Sequence, residues 1–275
     1  MTGPADLDPR GPASGTPATR NGIYDHGHLY DVVYRGGGKD YRGESEVVTR
    51  HIRTLNPEAA SLLDVGCGTG GHLRHFAREF RHAEGIDITD GMLAECRRRV
   101  PGVAVTRADM RTFRLPRRFD AIVSLFNVIG NVADRAELDL TLVNLSRHLV
   151  PGGVLVVEPW WFTENFTPGH IGSSVTTLDG RTVARVSHSV REGDTTRMRV
   201  HCIVAEPGAG LRHFTYEHVM ALFSRAQYEA SFARAGCPAH YVEDAYPGNG
   251  LFVAVKGLHE RERAPTARPR GAGRR

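Results

Sequence analysis

The sequence predicts a doubly wound α/β domain, a parallel sheet with helices on both faces, carrying an inserted antiparallel β-sheet. Three observations predict it. An apolar run, Ser61-Leu62-Leu63-Asp64-Val65, leads directly into Gly66-Cys67-Gly68-Thr69-Gly70, and a helical stretch follows from His72 to Phe80. Strand-like and helix-like runs then alternate up to Glu158. From residue 160 to 215 the pattern changes to β-like runs separated by hairpin signals, Asp179-Gly180 and Glu192-Gly193-Asp194.

Each element has its own reason. Residues 1–22, rich in Pro, Gly, Thr and Ala, have little to bury and are expected to be disordered. Tyr24 to Tyr34 is aromatic enough to pack as a short helix, and a loop follows from Arg35 to Tyr41. Glu44 to Arg53 places Val47, Val48 and Ile52 on one helical face, either as a lid over a ligand or as a plain helix on the sheet. Ala83–Asp87 reads as the second strand. Thr89 is the expected cap of the helix to Val100, which Pro101-Gly102 ends. Val103–Arg107 and Phe119–Phe126 are the third and fourth strands. Leu138, Leu142, Leu145 and Leu149 recur at helical spacing, and Val154–Glu158 is the fifth strand. In the insertion the runs are Ser174–Leu178, Thr182–Val190 and Arg197–Ala205. Ser224-x-x-Gln227 is a capping box for a helix that Gly236 terminates. Ala239–Glu243 and Leu251–Val255 are expected to close the sheet as an antiparallel pair. The domain is thus drawn from residue 23 to 257, with a basic disordered tail at 258–275.

Composition excludes several classes. The 275 residues are 40% hydrophobic and 24% charged, ordinary for a globular protein. No run is long and apolar enough for a membrane span, and the N-terminus has no signal-type apolar core. Cys67, Cys96, Cys202 and Cys237 lie far apart, which reads as reduced thiols in a cytoplasmic protein. The net charge is +4, but residues 261–275 hold six Arg and one Glu, or +5, leaving about −1 for the rest. A nucleic-acid groove on the folded part is therefore not expected. The histidines, such as His72 and His75 or His26 and His28, have no matching carboxylates, so no metal site is expected.

Gly66, Gly68 and Gly71 satisfy the dinucleotide pattern G-x-G-x-x-G, so the glycines alone do not choose a ligand. Asp64, two residues before the first glycine, would repel a pyrophosphate and attract a cationic amino-acid group. The stretch Asp64-Val65-Gly66-Cys67-Gly68-Thr69-Gly70 resembles the first motif of class I S-adenosylmethionine (SAM) methyltransferases, a Rossmann-like fold. Asp64 would then meet the methionine end, with Cys67 filling space in the turn. Asp87 would accept the ribose hydroxyls, as an acid would for NAD too. Asp109 would accept the adenine amino group, while Met110 and Leu125 pack near the ring or sulfonium. The first alternative is a SAM methyltransferase acting on another small-molecule amine or hydroxyl, and the second is a dinucleotide oxidoreductase. A nucleic-acid amino-methyltransferase would need an Asn/Asp-Pro-Pro-aromatic tetrad where Phe126-Asn127-Val128-Ile129 stands.

A more specific resemblance covers about residues 24–256. Ala108-Asp109-Met110-Arg111, Val157-Glu158-Pro159-Trp160-Trp161-Phe162 and the run from Asp179 to Gly193 are similar to the dTDP-aminosugar N,N-dimethyltransferases. Tyr30-Asp31, Gly38-Lys39-Asp40-Tyr41 and Arg212-His213-Phe214 fit as well. The resemblance implies SAM as donor, a dTDP-linked aminosugar as acceptor, and a homodimer. It makes Tyr34, Glu158 and His188 the candidates to orient the amine or take its proton. Tyr34, Tyr41, Asn131, Trp160, Trp161, Arg185 and His188 become the candidate substrate contacts. The chain departs from the family pattern at Gly37, Asn131 and Asn249.

Overall fold

The computed structural model describes residues 22–245 and 250–257. The expectations for residues 1–21, for Asn249 and for the tail lie outside the described residues. A 3-10 turn (Gly22–Asp25) and two helices, α1 (Gly27–Gly36) and α2 (Tyr41–Leu55), precede the first strand. Helix α2 begins before the expected Glu44 because Asp40 caps it, its side chain accepting the Gly43 N–H at 2.9 Å.

The central sheet follows the expected alternation. Strand β1 (Ser61–Val65) is followed by α3 (Leu73–Glu79), β2 (His82–Asp87), α4 (Asp90–Arg99), β3 (Ala104–Arg107), β4 (Phe119–Ser124), α5 (Arg135–Arg147) and β5 (Leu149–Val157). These five strands pair in parallel. Thr89 sits at the α4 cap with extended backbone but makes no side-chain cap bond; its N–H is taken by Asp87 instead. Strand residues alternate between two buried layers. Leu63, Ile122 and Leu155 pack with Leu138, Leu142 and Leu145 of α5 on one face. Leu62, Ala121, Val123 and Val156 pack with Val48 and Ile52 of α2 and Phe76 of α3 on the other. This two-sided burial is why the strands read as nearly continuous apolar runs.

The insertion holds four strands in a meander, β6 (Ile171–Leu178), β7 (Arg181–Glu192), β8 (Thr195–Glu206) and β9 (Gly210–Ala221). Asp179 and Gly180 form the first turn with φ of 52° and 75°, the left-handed geometry a tight hairpin needs. The sheet runs to Ala221, beyond the expected residue 215. The extra strand, β9, carries no plain apolar run because its apolar residues alternate with His, Glu and Arg. Its inner face is legible only with the register known. Val200 pairs Tyr216 and Met198 pairs His218, so even-numbered β9 residues turn inward. There Val183, Val200, Cys202, Val204 and Tyr216 cover Ile23, Leu29, Val32 and Val33.

Helix α6 (Arg225–Arg234) opens with both reciprocal bonds of the Ser224–Gln227 capping box, and Gly236 follows with φ of 72°. Strands β10 (Ala239–Val242) and β11 (Leu251–Val255) add antiparallel to β5. The order is β10-β11-β5-β4-β1-β2-β3, so the chain reverses direction across the sheet between β1 and β4. A ligand crevice is expected at the strand carboxyl ends at that point. Among the described residues, no helix is long and apolar enough to cross a membrane.

Candidate active site

A cavity of about 1890 Å³ lies at that crevice, between the strand ends, helices α1 and α2, and the inner face of the antiparallel sheet. Pockets for one small ligand typically measure about 300–1,000 Å³, so there is room here for two.

One wall is the glycine turn. Gly66 has φ of 76°, and a Cβ there would lie 2.5 Å from the Val128 side chain. Only glycine fits such a close, left-handed position. The Gly68 N–H donates to Asp87 Oδ2 at 3.0 Å, and the Thr89 N–H donates to Oδ1 at 2.9 Å. Asp87 is thereby fixed with lone pairs to spare. Asp64 is buried at 2% exposure and its Oδ2 has no hydrogen-bond partner. Burial, aided by the neighbouring Asp87 charge, pushes its carboxyl up to about 8. A buried carboxyl with an unpartnered oxygen beside an open cavity, ready to ionise against a cation, is the fit expected for a cationic group. Cys67, Met110 and Leu125 line the same region. Asp109 also lines it, but Arg111 grips its carboxylate through Nη2 at 2.6 Å and Nε at 2.9 Å. Arg111 in turn donates to Glu137 at 2.7 Å. Only the remaining lone pairs of Asp109 can meet an adenine amino group.

The opposite wall is made of aromatic and basic side chains. Tyr34 packs tilted against Tyr30 at 4.5 Å and edge-on to Phe126 at 4.9 Å. Tyr41 lies over Gly71, where a Cβ would clash at 2.7 Å, and its buried hydroxyl has no partner. Trp160 and Trp161 both line the cavity, and Trp160 Nε1 donates to Thr196 at 3.2 Å. Arg185 enters from β7. Its Nη1 donates to Ser187 at 3.1 Å and its Nε has no partner. Asn131 reaches the cavity from the turn after β4.

Two predicted residues are not at the cavity. His188 is exposed on the outer face of β7 and lines a separate shallow groove with Val186 and His201. Successive side chains on a strand point to opposite faces, so Arg185 and His188, an odd number of positions apart, cannot share one. Glu158 is buried at 3% exposure, and its Oε2 accepts the Phe126 N–H at 2.6 Å. It holds Phe126, whose φ is 55°, in the turn over the site and is not among the residues lining the cavity.

The structure also assigns contacts to further residues around the site. Asp31 of α1 accepts from Thr69 of the glycine turn at 2.8 Å and is ion-paired with Arg99 of α4. Lys39 donates to Glu44 at 2.7 Å, with its ammonium 4.1 Å from the Phe126 ring centre. Glu44 also pairs with His72 at 2.7 Å. Burial acts to raise the Glu44 carboxyl, but the bonds from His72 and Lys39 outweigh it and hold it low. His218 of β9 faces the cavity with its Nε2 3.1 Å from Asn131 Oδ1. Tyr30-Asp31 and Gly38-Lys39-Asp40-Tyr41 were visible as motif residues; nothing local marked Arg99, His72 or His218, which act through partners distant in sequence.

Comparison with known proteins bears on this geometry. A family model described as a methyltransferase domain matches residues 62–153, from β1 into β5. The dTDP-3-amino-3,4,6-trideoxy-α-D-glucopyranose N,N-dimethyltransferase of Streptomyces venezuelae is 49% identical over 231 residues, spanning 84% of this chain and 98% of that protein. The dTDP-3-amino-3,6-dideoxy-α-D-glucopyranose N,N-dimethyltransferase of Streptomyces fradiae is 47% identical, spanning 83% and 90%. A solved SAM-bound amino pentose methyltransferase of Micromonospora echinaspora superposes with a TM-score of 0.77 at 46% identity, over 83% of this chain and 96% of that one.

Proposed function

Because the chain belongs to the dTDP-aminosugar N,N-dimethyltransferases, we propose that it uses SAM to dimethylate the amine of a dTDP-linked deoxy-aminosugar in antibiotic sugar biosynthesis. The two relatives at 49% and 47% identity are named for 3-amino sugars, which favours a 3-amino acceptor. The single observation that carries the reading is the unpartnered Asp64 Oδ2, buried at one end of a cavity large enough for two ligands. A bound ammonium can draw the proton off this carboxyl and form an ion pair, whereas a pyrophosphate would gain none, which speaks against a dinucleotide.

When bound, SAM supplies a methyl group on a sulfonium, open to in-line displacement by an amine. Asp64 would hold its amino-acid end, Asp87 its ribose, and Met110 and Leu125 its adenine. Tyr34, Trp160 and Trp161 would seat the acceptor. Arg185, a guanidinium with an unused Nε, would hold its phosphates. The chain's contribution is to align these groups and exclude water, and proximity of this kind supplies roughly 7–11 kcal/mol. The amine must be unprotonated. With a sugar amine near the α-amino value of about 8, freeing it at neutral pH costs only about 1–1.5 kcal/mol. That is small beside the alignment term, so no obligatory general base is needed. Glu158 acts through the Phe126 turn in this account, and His188 has no part in it.

The homodimer implied by the resemblance belongs to the same proposal. The outer face of the antiparallel sheet supports it, exposing Ile171, Val175, Val186, Ile203 and Leu211 among polar side chains. A cytoplasmic location, where the four free cysteines stay reduced, completes it. The test is incubation with SAM and a panel of 3-amino and 4-amino dTDP-sugars, read by mass. Two added methyl groups on a 3-amino sugar are expected. No methylation of any member would refute the reading.

A further inference from the structure

The turn leaving β4 and the inner face of β9 are tied together at the cavity by a polar cluster that no strand motif announced. Asn131, at the end of that turn, donates its Nδ2 to the Val128 carbonyl at 3.0 Å. This fixes the amide so that Oδ1 faces His218 Nε2 at 3.1 Å. An amide oxygen can only accept, so Nε2 carries the proton and Nδ1 carries the lone pair. Tyr24, from the N-terminal turn, sets the ring plane. Its hydroxyl is 3.4 Å from Nε2, and its ring stands edge-on at 5.6 Å. Close packing holds the cluster still, since a Cβ on Gly130 would meet Met220 at 2.6 Å and Trp160 at 2.9 Å. Two other histidines line the cavity. His72 is committed to Glu44, and His170 is exposed at the rim.

We propose that His218 orients the acceptor amine: its Nδ1 accepts a hydrogen bond from the amine N–H and turns the nitrogen lone pair toward the methyl donor. This rests on the proposed function above. His218 is anchored to the turn that follows β4 through Leu125 and Phe126, and all of these residues line the cavity. The charged group facing it is Arg185 from β7, and the other titratable neighbour is Tyr24. Burial first, and the Arg185 charge second, push the imidazole down to about 4. It therefore stays neutral across the working range, able to accept a hydrogen bond but unable to keep a proton. The proton released by the methylated amine passes to solvent.

The experiment measures kcat and KM for wild type, His218→Ala and His218→Gln with a 3-amino dTDP-sugar from pH 6.5 to 9.5, with SAM affinity by calorimetry. Misplacing a reacting group costs on the order of ten- to hundred-fold. His218→Ala should lose that much kcat by a factor that stays constant with pH, while SAM affinity holds. His218→Gln, which keeps an acceptor, should recover most of it. A His218→Ala rate within two-fold of wild type overturns the proposal, and so does a deficit that vanishes by pH 9, since that marks a base. Should His218→Ala fail to fold, Asn131→Leu carries the same test. It leaves the imidazole present but unlatched, and a several-fold, pH-independent loss is expected; no loss overturns the proposal. Wild type inactive on every aminosugar refutes the function itself, whereas active wild type with unaffected variants refutes only the role of His218.

Discussion

The glycine turn after β1 and the inner face of the antiparallel sheet meet across one cavity, but they are built by different means. On the first wall the backbone does the positioning. Gly66 and Gly68 take left-handed angles, and Asp87 is fixed by two main-chain N–H groups. On the second wall side chains do it, through aromatic contacts among Tyr30, Tyr34 and Phe126 and bonds from Arg185 and His218. A backbone-built wall tolerates little change in sequence and binds one ligand. A side-chain wall can be retuned residue by residue, which suits the half that meets a variable sugar.

The strongest way to break this comparison is to cut the tie between the walls. Arg99 pairs with Asp31 behind the glycine turn, both side chains nearly buried. Arg99→Ala strands the carboxylate, and losing one partner of a buried pair costs about 3–5 kcal/mol. The lower end, about 3 kcal/mol, is expected, because burial already raises the Asp31 carboxyl and lets it take a proton. Urea unfolding measures it; a loss under about 1 kcal/mol would mean the walls are joined elsewhere.

Strand parity gives the next largest effect. Arg185→Ala should lower kcat/KM by about a hundred-fold, as expected for losing a charge-assisted contact worth about 3 kcal/mol. His188→Ala, three positions along, should stay within two-fold. Equal losses would mean that the two faces of β7 both serve the acceptor. On the backbone-built wall, Asp87→Ala should weaken SAM binding by about ten- to hundred-fold, the scale of one or two charge-assisted hydrogen bonds. Unchanged affinity in calorimetry would remove Asp87 from the site.

The smallest effect concerns pH. The Glu44 carboxyl is held below its ordinary value by His72 and Lys39, although burial opposes them. Its contribution to stability is therefore present above the unfolded pKa of about 4.3 and lost as pH falls through the folded value. Wild type should lose more stability than Glu44→Gln on acidification below about pH 4.5. Parallel acid curves would show that the Lys39–Glu44–His72 chain is not coupled to folding.

How far the sequence could be read follows the same division. The central strands, the glycine turn, the capping box and the closing pair were legible because local chemistry sets them. Asp64, Gly66, Gly68 and Asp87 line one cavity because strand ends in an open sheet converge at one crevice. The antiparallel side was less legible. Strand β9 extends the sheet beyond the expected residue 215, His188, a candidate acceptor contact, lies on the outer face of β7, and Glu158, a candidate for the amine, holds the Phe126 N–H. His218 gave no signal, since its role depends on the register of β9 against β8 and on a turn far away in sequence. Arg185 and His188 are three positions apart on one strand, which by itself places them on opposite faces.

The central claim is that buried Asp64, with its Oδ2 unpartnered, takes the cationic end of SAM. Below pH 8 its raised carboxyl holds a proton in the free protein, and a bound ammonium should drive that proton off. Calorimetry of SAM binding near pH 7, in buffers of different ionisation enthalpy, measures this directly. The account predicts release approaching one proton per site in wild type and none in Asp64→Asn. Tight SAM binding to wild type without proton release, or release undiminished in Asp64→Asn, would contradict it.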